Sequence, residues 1–395
     1  MTWAVGDVAA NIYLMHTRIA TGLAVDDAGV DAFAEAAGRA ALGLGGAPSD
    51  LAVVFGGAPN LDHLEDGLRI VRDRIGADAV VGCGAQGVLA SGRELEDGGV
   101  AVWAASLPGA GIEPFHLEAV PAAESTVALT GMPAVDDADA LILLADPYTF
   151  PVEPLLQAMG DEQPGLPVIG GLASAGGGPG EGALILGGDV VTEGAVGVAL
   201  RGVDVRPCVS QGARPIGPEM VVTAADGNVI EELASKPALE RLKEAITELD
   251  FDDRAMAAQG LLLGIVIDEN RPEYARGDFL IRGLLGADEE SGTIRVGEQV
   301  RVGQTVRLQV RDGESADEDL REALGRLPDA PAGALLFTCN GRGSNMFDTP
   351  DHDARALEHA FGGAPVAGFF CAGEIGPVGA RNFVHGFTAT VAVFA

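Results

Sequence analysis

Two glycine-rich segments near the C-terminal end of the chain carry the side chains best suited to binding chemistry. In residues 339–343 (CNGRG), Arg342 stands between two glycines, and its planar guanidinium can donate two parallel hydrogen bonds to a carboxylate. In residues 373–377 (GEIGP), Glu374 could accept a ligand ammonium group, act as an acid or base, or bond backbone amides. Facing one pocket, Arg342 and Glu374 would suit a zwitterion.

A catalytic use of the same region stays open. Cys371 precedes Glu374 by three residues, and His385 follows in the same stretch, so a thiol, an imidazole and a carboxylate could form a nucleophilic site. The sequence has no signature of a nucleophile elbow. A cysteine that directly follows Phe369 and Phe370 is typical of a buried, small apolar position, so the sequence favours packing over catalysis by Cys371.

The sequence gives little support for a metal site or a cofactor site. His352 and His359 lie seven residues apart on one predicted helix, which separates them by about 10 Å, too far to share one metal ion. We interpret Asp351, His352 and Asp353 as first-turn residues that cap this helix. Neither of the two lysines stands in a phosphate-binding P-loop motif. We therefore expect neither a metal nor a cofactor.

The elements that must position these residues follow a repeated pattern. Three segments each contain an apolar strand, a helix or loop, a second strand and a glycine-rich turn, and their paired strands begin 29, 28 and 32 positions apart. The paired strands begin at Leu51 and Val80, at Ala140 and Val168, and at Ala334 and Val366. A degenerate fourth copy is expected from Leu261. In this pattern Cys339 and Cys371 end the two strands of the third copy.

Apolar residues at helical spacing predict helices between these strands. The predicted segments are residues 33–44 after the capping candidates Asp26 and Asp27, 61–75, 239–249, 320–327 after a Ser315–Glu318 capping box, and 350–361. Each segment has one apolar stripe, so the helices should cover sheet faces. The expected fold class is mixed α/β (α+β), with two related modules of twisted, partly antiparallel sheet.

Composition limits the partners and the compartment. The 395 residues carry a formal net charge of −33, which disfavours nucleic acid and anionic membranes as partners. The four cysteines have no CxxC spacing, residues 1–20 lack the pattern of a secretory signal, and no run of about 18 apolar residues occurs. We expect a cytoplasmic protein with free thiols.

Several motifs resemble the FIST family of sensory and signal-transduction proteins, which have an N-terminal and a C-terminal FIST module. They are VVGC at 80–83, SQGARPIGP at 210–218, GDFLIR at 277–282, VGQ at 302–304, VRD at 310–312, and the stretches 339–347 and 368–385. The resemblance implies modules over residues 1–206 and 207–395, and a small ligand, with amino acids the usual suggestion. With the residue chemistry above, it implies the ligand contacts Cys83, Arg282, Asn340, Arg342, Gly343, Gly373, Glu374, Asn382 and His385.

The leading functional prediction is non-catalytic recognition of a small molecule, coupled to a signalling protein partner. One alternative is a hydrolase or transferase that acts on an amide or thioester through Cys371 or Glu374. Another is a scaffold that presents an acidic surface to a basic protein.

Overall fold

The computed structural model describes residues 16–25, 29–122 and 127–395, so the capping candidates Asp26 and Asp27 and most of the N-terminal segment lie outside the described residues. The expected mixed α/β class, with partly antiparallel sheets, is confirmed. The α-helices are α1 (Val30–Leu44), α2 (Leu64–Ile75), α3 (Val152–Glu162), α4 (Ala238–Glu248), α5 (Phe251–Gln259), α6 (Gly313–Leu324) and α7 (His352–Ala360), and short 3-10 helices span Ala58–His63 and Gly343–Asn345. None of the helices in the described residues is long and apolar enough to cross a membrane.

The chain forms two compact units that do not follow chain order. Unit 1 combines the described residues up to 209 with residues 321–384 and 389–395, and unit 2 comprises residues 210–320 and 385–388. The chain first leaves unit 1 after residue 209. The predicted module 207–395 contributes residues to both units.

Unit 1 contains three sheets whose strands belong to it over most of their length. Numbered in chain order, the first has β1 (Arg18–Ala24), β6 (Val100–Ser106), β2 (Leu51–Gly57), β3 (Ala79–Ala85), β11 (Leu184–Leu186) and β12 (Asp189–Val191). The second has β25 (Arg381–His385), β24 (Glu374–Val378), β10 (Val168–Leu172), β9 (Ala140–Ala145), β13 (Ala195–Arg201), β7 (Gly111–Pro121) and β8 (Val127–Thr130). The third has β14 (Val205–Gln211), β26 (Thr388–Phe394), β22 (Gly333–Cys339), β23 (Val366–Cys371), β4 (Val88–Ala90) and β5 (Arg93–Leu95).

One apolar core is shared by the inner faces of these three sheets. Phe55 of the first sheet contacts Phe369 of the third with ring centroids 5.0 Å apart, and Trp103 contacts Phe394 at 4.9 Å. Ile142 and other residues of the second sheet complete the same buried cluster. Because each central strand is covered on both faces, its sequence is almost continuously apolar, as the sequence pattern indicated.

The three predicted strand pairs are all present and parallel. β2 pairs with β3, β9 with β10, and β22 with β23. Each pair has a glycine at the same place, where a Cβ atom would overlap the carbonyl oxygen of the residue opposite it in register. These glycines are Gly82 opposite Val54, Gly170 opposite Leu143, and Gly368 opposite Leu336. The shared geometry supports the internal repeat, because the same backbone approach recurs at the same position of each copy.

The helices of unit 1 cover outer sheet faces. Phe33 and other residues of α1 pack with α2 against the first sheet, and Leu156 and other residues of α3 pack against the second. α3 lies in a segment that the sequence left as helix or loop. Helix α7 begins at His352, two residues later than predicted.

Unit 2 is built differently from the repeat. Its strands are β15 (Ala213–Asp226), β21 (Thr305–Arg311), β18 (Leu261–Val266), β19 (Phe279–Asp288), β20 (Thr293–Val296), β16 (Val229–Leu233) and β17 (Lys236–Pro237). β15 also pairs with β16, which closes an antiparallel ring. The expected fourth copy is wrong in its pairing, because β18 is antiparallel to both of its neighbours.

Helices in unit 2 depart from prediction at two points. α4 packs its apolar stripe into the core of the ring, as the helical spacing predicted. The first turn of α6 is capped by Asp312, whose carboxylate accepts hydrogen bonds from the backbone N–H groups of Glu314 and Ser315, so the capping box predicted at Ser315 is wrong. Helix α5 was not predicted, and none of its residues is buried.

Candidate functional site

The turn that follows β22 brings Arg342 into the interior of unit 1. The backbone N–H of Asn340 donates to the carbonyl of Cys371, and the N–H of Arg342 donates back to the carbonyl of Cys339. Gly343 then adopts a left-handed conformation with φ of 56°. A Cβ atom at Gly343 would lie 2.7 Å from Oε1 of Glu96, so both the conformation and the space require glycine.

Arg342 forms a fully buried ion pair with Asp353 of α7. Its Nε and Nη2 atoms each donate to one carboxylate oxygen at 2.7 Å, and the Thr338 hydroxyl donates to the same carboxylate at 2.7 Å. The guanidinium also lies over the ring of Phe347, 5.1 Å from its centroid. The edge of the guanidinium that carries Nε and Nη2 was predicted to bind a ligand carboxylate. In the structure it binds the carboxylate of Asp353.

The carboxylate of Asp353 is held ionised by its partners. Burial opposes its ionisation, but the charge and hydrogen bonds of Arg342, with those of His352 and Thr338, keep the pKa of Asp353 well below its usual range. Nδ1 of His352 donates to Oδ1 of Asp353 at 2.9 Å, and the His352 ring stacks on Phe347. Asp353 lies in the first turn of α7, as predicted, but its side chain binds Arg342 rather than capping the helix.

Two glutamates from the β4–β5 hairpin and the residue after it hold the elements on either side of Arg342. Glu94 accepts the backbone N–H of Ala354 at 2.8 Å, in the first turn of α7. Glu96 accepts the backbone N–H of Ser344 at 2.7 Å and its hydroxyl at 2.5 Å. Burial and the nearby charge of Asp353 raise the pKa of Glu94 to about 7. The hairpin thus connects the N-terminal repeat to the turn and helix that hold Arg342.

Cys339, Cys371 and Glu374 lie near this ion pair. Cys339 and Cys371 are partners in the register of β22 and β23, and Cys83 lies opposite Phe55 in the paired strands of the first copy. Burial, followed by the charge of Glu374 and the nearby Cys83 and Cys339, raises the pKa of Cys371 well above its ordinary value. The Cys371 thiol donates to the carbonyl of Phe369 at 3.6 Å. A thiol held protonated in this way is a poor nucleophile.

Glu374 is fully buried at the start of β24, where it lies opposite Gly171 of β10. It is close enough to contribute to the raised pKa values of both Arg342 and Cys371. Gly373 precedes it, packed by Leu172 and Val384, where a Cβ atom would lie 3.0 Å from a Leu172 methyl carbon. The structure thus places Arg342, Cys371, Gly373 and Glu374 in one unit.

Other predicted contacts have different surroundings. Asn382 uses its side chain on the backbone: Oδ1 accepts from Val168 N at 2.9 Å, and Nδ2 donates to Leu166 O at 2.8 Å. Arg282 and His385 belong to unit 2. Arg282 there forms an ion pair with Glu298 at 2.8 Å.

Sequence reasoning missed the residues that surround Arg342. Asp353 was assigned to capping, and Thr338, Glu94 and Glu96 were not considered. One signal was available, since an aspartate in the first turn of the helix that follows a buried strand can reach the end of that strand. In the described part of the chain, no group of three or more His, Cys, Asp or Glu residues is arranged to hold a metal ion.

The most voluminous of the open clefts described lies away from these residues. It has a volume of about 1000 Å³ and follows α4 in unit 2. Both lysines of the chain line it, and each forms an ion pair: Lys236 with Glu244 at 2.6 Å and Lys243 with Glu289 at 3.3 Å. The cations of this cleft are thus neutralised by its own glutamates.

Comparison with known proteins places this architecture in a family. A model of the FIST N domain matches residues 50–236, and a model of the FIST C domain matches residues 238–377, which contain Arg342, Asp353 and Glu374. Two similar proteins are the uncharacterized protein Mb0898c of Mycobacterium bovis and the uncharacterized protein Rv0628c of Mycobacterium tuberculosis. Each is 46% identical over 383 residues, which is 95% of this chain and 98% and 99% of the respective relative. FIST domains are associated with sensory and signal-transduction proteins. The resemblance is confirmed, and the chain belongs to the FIST family, with a FIST N domain followed by a FIST C domain.

Proposed function

We propose that this protein is a cytoplasmic sensory protein that binds a small molecule at the buried polar cluster after β22 and passes the signal to a protein partner. The cluster comprises Asn340, Arg342, Asp353 and Glu374. The ligand is the input, and the partner is engaged by the ligand-bound form. The four cysteines are buried and form no disulfide within the described residues, which suits a reducing compartment.

One observation carries the proposal. Nη1 of Arg342 and Oδ1 of Asn340 are both buried, and neither has a hydrogen-bond partner among the residues that the structure describes. A buried polar atom without a partner costs about 1–3 kcal/mol. A ligand that bonds both atoms would recover this cost. Because Arg342 itself is fully buried, the ligand reaches it when the glycine-containing turn at residues 340–345 moves.

The catalytic alternative gains little from this geometry. Cys371 has a raised pKa and donates to a backbone carbonyl, whereas a nucleophilic cysteine needs a lowered pKa and access to substrate. The scaffold alternative is supported only by the net charge of −33, which does not identify a surface for binding a partner. Recognition of a small molecule is the function that uses the unpaired atoms.

The test is a thermal-shift screen of the purified chain against small metabolites, followed by calorimetry. A ligand at about 100 times its Kd should stabilise the folded protein by about 2.7 kcal/mol. We expect Asn340→Ala to weaken binding at least tenfold. The matched control is Asn270→Ala, which changes an exposed asparagine in unit 2.

Two results would contradict the proposal. One is a screen in which no metabolite stabilises the folded protein. The other is a ligand whose affinity is unchanged in Asn340→Ala. If instead a compound is turned over, and Cys371→Ser abolishes the turnover while binding persists, the hydrolase or transferase alternative is correct.

A further inference from the structure

The charge balance around Arg342 restricts which ligand can bind there. Arg342 carries one positive charge, and Asp353, bonded to it through two atoms, carries one negative charge. The pair is therefore neutral, and Glu374 is a further acidic side chain in the same interior. A ligand carboxylate would add another buried negative charge without a cation to balance it, and the loss of its hydration costs several kcal/mol.

The unsatisfied atoms are one donor and one acceptor. Nη1 of Arg342 offers a hydrogen, and Oδ1 of Asn340 needs one, and both lack a partner within the described ranges. A carboxylate can accept from Nη1 but has no hydrogen for Asn340. An ammonium group can donate to Asn340 but has nothing to accept from Nη1. A carboxamide has both functions in one neutral, planar group.

The two residues leave the same turn. Only Gly341 separates Asn340 from Arg342, so their α-carbons lie no more than about 7 Å apart. A carboxamide that bonds both side chains would lie beside this turn, with a hydrogen bond of about 2.9 Å to each of them. Asn340 is half-buried, so it would be the first of the two that an entering ligand meets.

We infer that the ligand presents a carboxamide, rather than a free carboxylate, to Arg342 and Asn340. The carboxamide oxygen accepts from Nη1 of Arg342, and its N–H donates to Oδ1 of Asn340. This inference rests on the proposed function and names the chemical class that the same site selects. It also changes the zwitterion prediction, in which Arg342 would bind a carboxylate through two hydrogen bonds.

Matched pairs of compounds test this directly. The panel contains amino acids and their carboxamides, for example alanine and alaninamide, and the same pairs with an acetylated amino group. Calorimetry on the full chain should show at least tenfold tighter binding for the carboxamide of the best pair. In Asn340→Leu, which removes the acceptor but leaves the Arg342–Asp353 pair, the preference should fall to less than threefold. Asn270→Ala should keep the full preference.

The outcomes separate this inference from the proposed function. Carboxylates that bind as tightly as their carboxamides, with affinity lost in Asn340→Leu, overturn the carboxamide assignment and leave the binding function intact. A preference that persists in Asn340→Leu places recognition elsewhere and overturns the assignment. If no member of either set binds and the unpaired atoms hold only water, both proposals fail.

Discussion

The first and third copies of the repeat have the same backbone arrangement and different chemistry at the ends of their paired strands. Gly57 is opposite Ala85 at the end of the first pair, and Cys339 is opposite Cys371 at the end of the third. At Gly84, one residue before the end of β3, a Cβ atom would lie 2.6 Å from a Leu61 methyl carbon, so apolar packing closes this end.

The third copy places charges where the first has apolar contacts. The turn after Cys339 contains Arg342, and α7 supplies Asp353 to pair with it. Strand pairing and the shared core are therefore the same in the two copies, whereas the residues that follow the strands differ. The difference indicates that the first copy has a purely structural role, whereas the third copy adds buried polar residues to the interior.

The largest effect should come from breaking the buried ion pair. Asp353→Ala leaves Arg342 charged and without its carboxylate partner in the interior, which should lower the free energy of unfolding by about 3–5 kcal/mol. Urea denaturation measures this. The control is Asp66→Ala, which breaks an exposed pair with Arg69 and should cost less than about 1 kcal/mol. A loss below 1 kcal/mol in Asp353→Ala would show that the ion pair with Arg342 contributes little to stability. The first and third copies would then not differ in this respect.

The glycines that the copies share should matter equally in both. A Cβ atom at Gly82 or Gly368 would overlap a backbone carbonyl oxygen of the paired strand, so each Gly→Ala change should cost about 3 kcal/mol. Gly283→Ala is the control, because apart from its chain neighbours no heavy atom of the described residues lies within 4 Å of the Cβ position at Gly283. Thermal unfolding of the three variants measures the effect. If only one of the two copies is sensitive, the shared register does not reflect a shared structural role.

Whether an element could be predicted from the sequence depends on the range of the interactions that form it. The strand pairs were predictable because buried strands are continuously apolar and end in glycine-rich turns, which are local signals. The antiparallel ring of unit 2 was not predictable, because the pairing of β15 with β16 and β21 depends on contacts between distant segments. The same holds for the joining of residues 321–384 to the N-terminal part of the chain.

The site was predictable as a position but not as a set of contacts. Arg342 and Glu374 were chosen for their charge in glycine-rich turns, and both lie in the interior of unit 1. The partner of Arg342 could not be chosen, because the reach of Asp353 depends on how α7 packs beside β22. The contacts of Asn382 could not be predicted either: this polar residue of a family motif bonds the backbone of Val168 and Leu166.

A pH-dependent change in stability should distinguish the charged surroundings of Arg342 in the third copy from the apolar end of the first copy. Because the folded-state pKa of Glu94 is raised from 4.5 to about 7, ionising it in the folded protein is unfavourable. Its contribution to stability is therefore full below about pH 4.5 and is lost as pH rises through 7. Glu94→Gln keeps an acceptor for Ala354 but cannot ionise. Relative to the unmodified protein, the variant should gain roughly 2 kcal/mol at pH 8 and nothing at pH 4.5.

Urea denaturation across this pH range measures the Glu94 effect. Glu65→Gln, at an exposed position of α2, is the control and should change the free energy of unfolding by less than about 0.5 kcal/mol. A stability difference that does not depend on pH would show that Glu94 is not ionised against the charge of Asp353.

The smallest effect should separate a structural asparagine from one kept for binding. Asn382 bonds the backbone with both ends of its amide, so Asn382→Ala should lower the free energy of unfolding by about 1–2 kcal/mol. Asn340→Ala removes a buried oxygen that has no partner in the described chain, so without ligand the variant should be at least as stable as the unmodified protein. With the best ligand of the screen present, only Asn340→Ala should lose the added stability. A loss above 1 kcal/mol in ligand-free Asn340→Ala would make this residue structural too, and the third copy would then resemble the first.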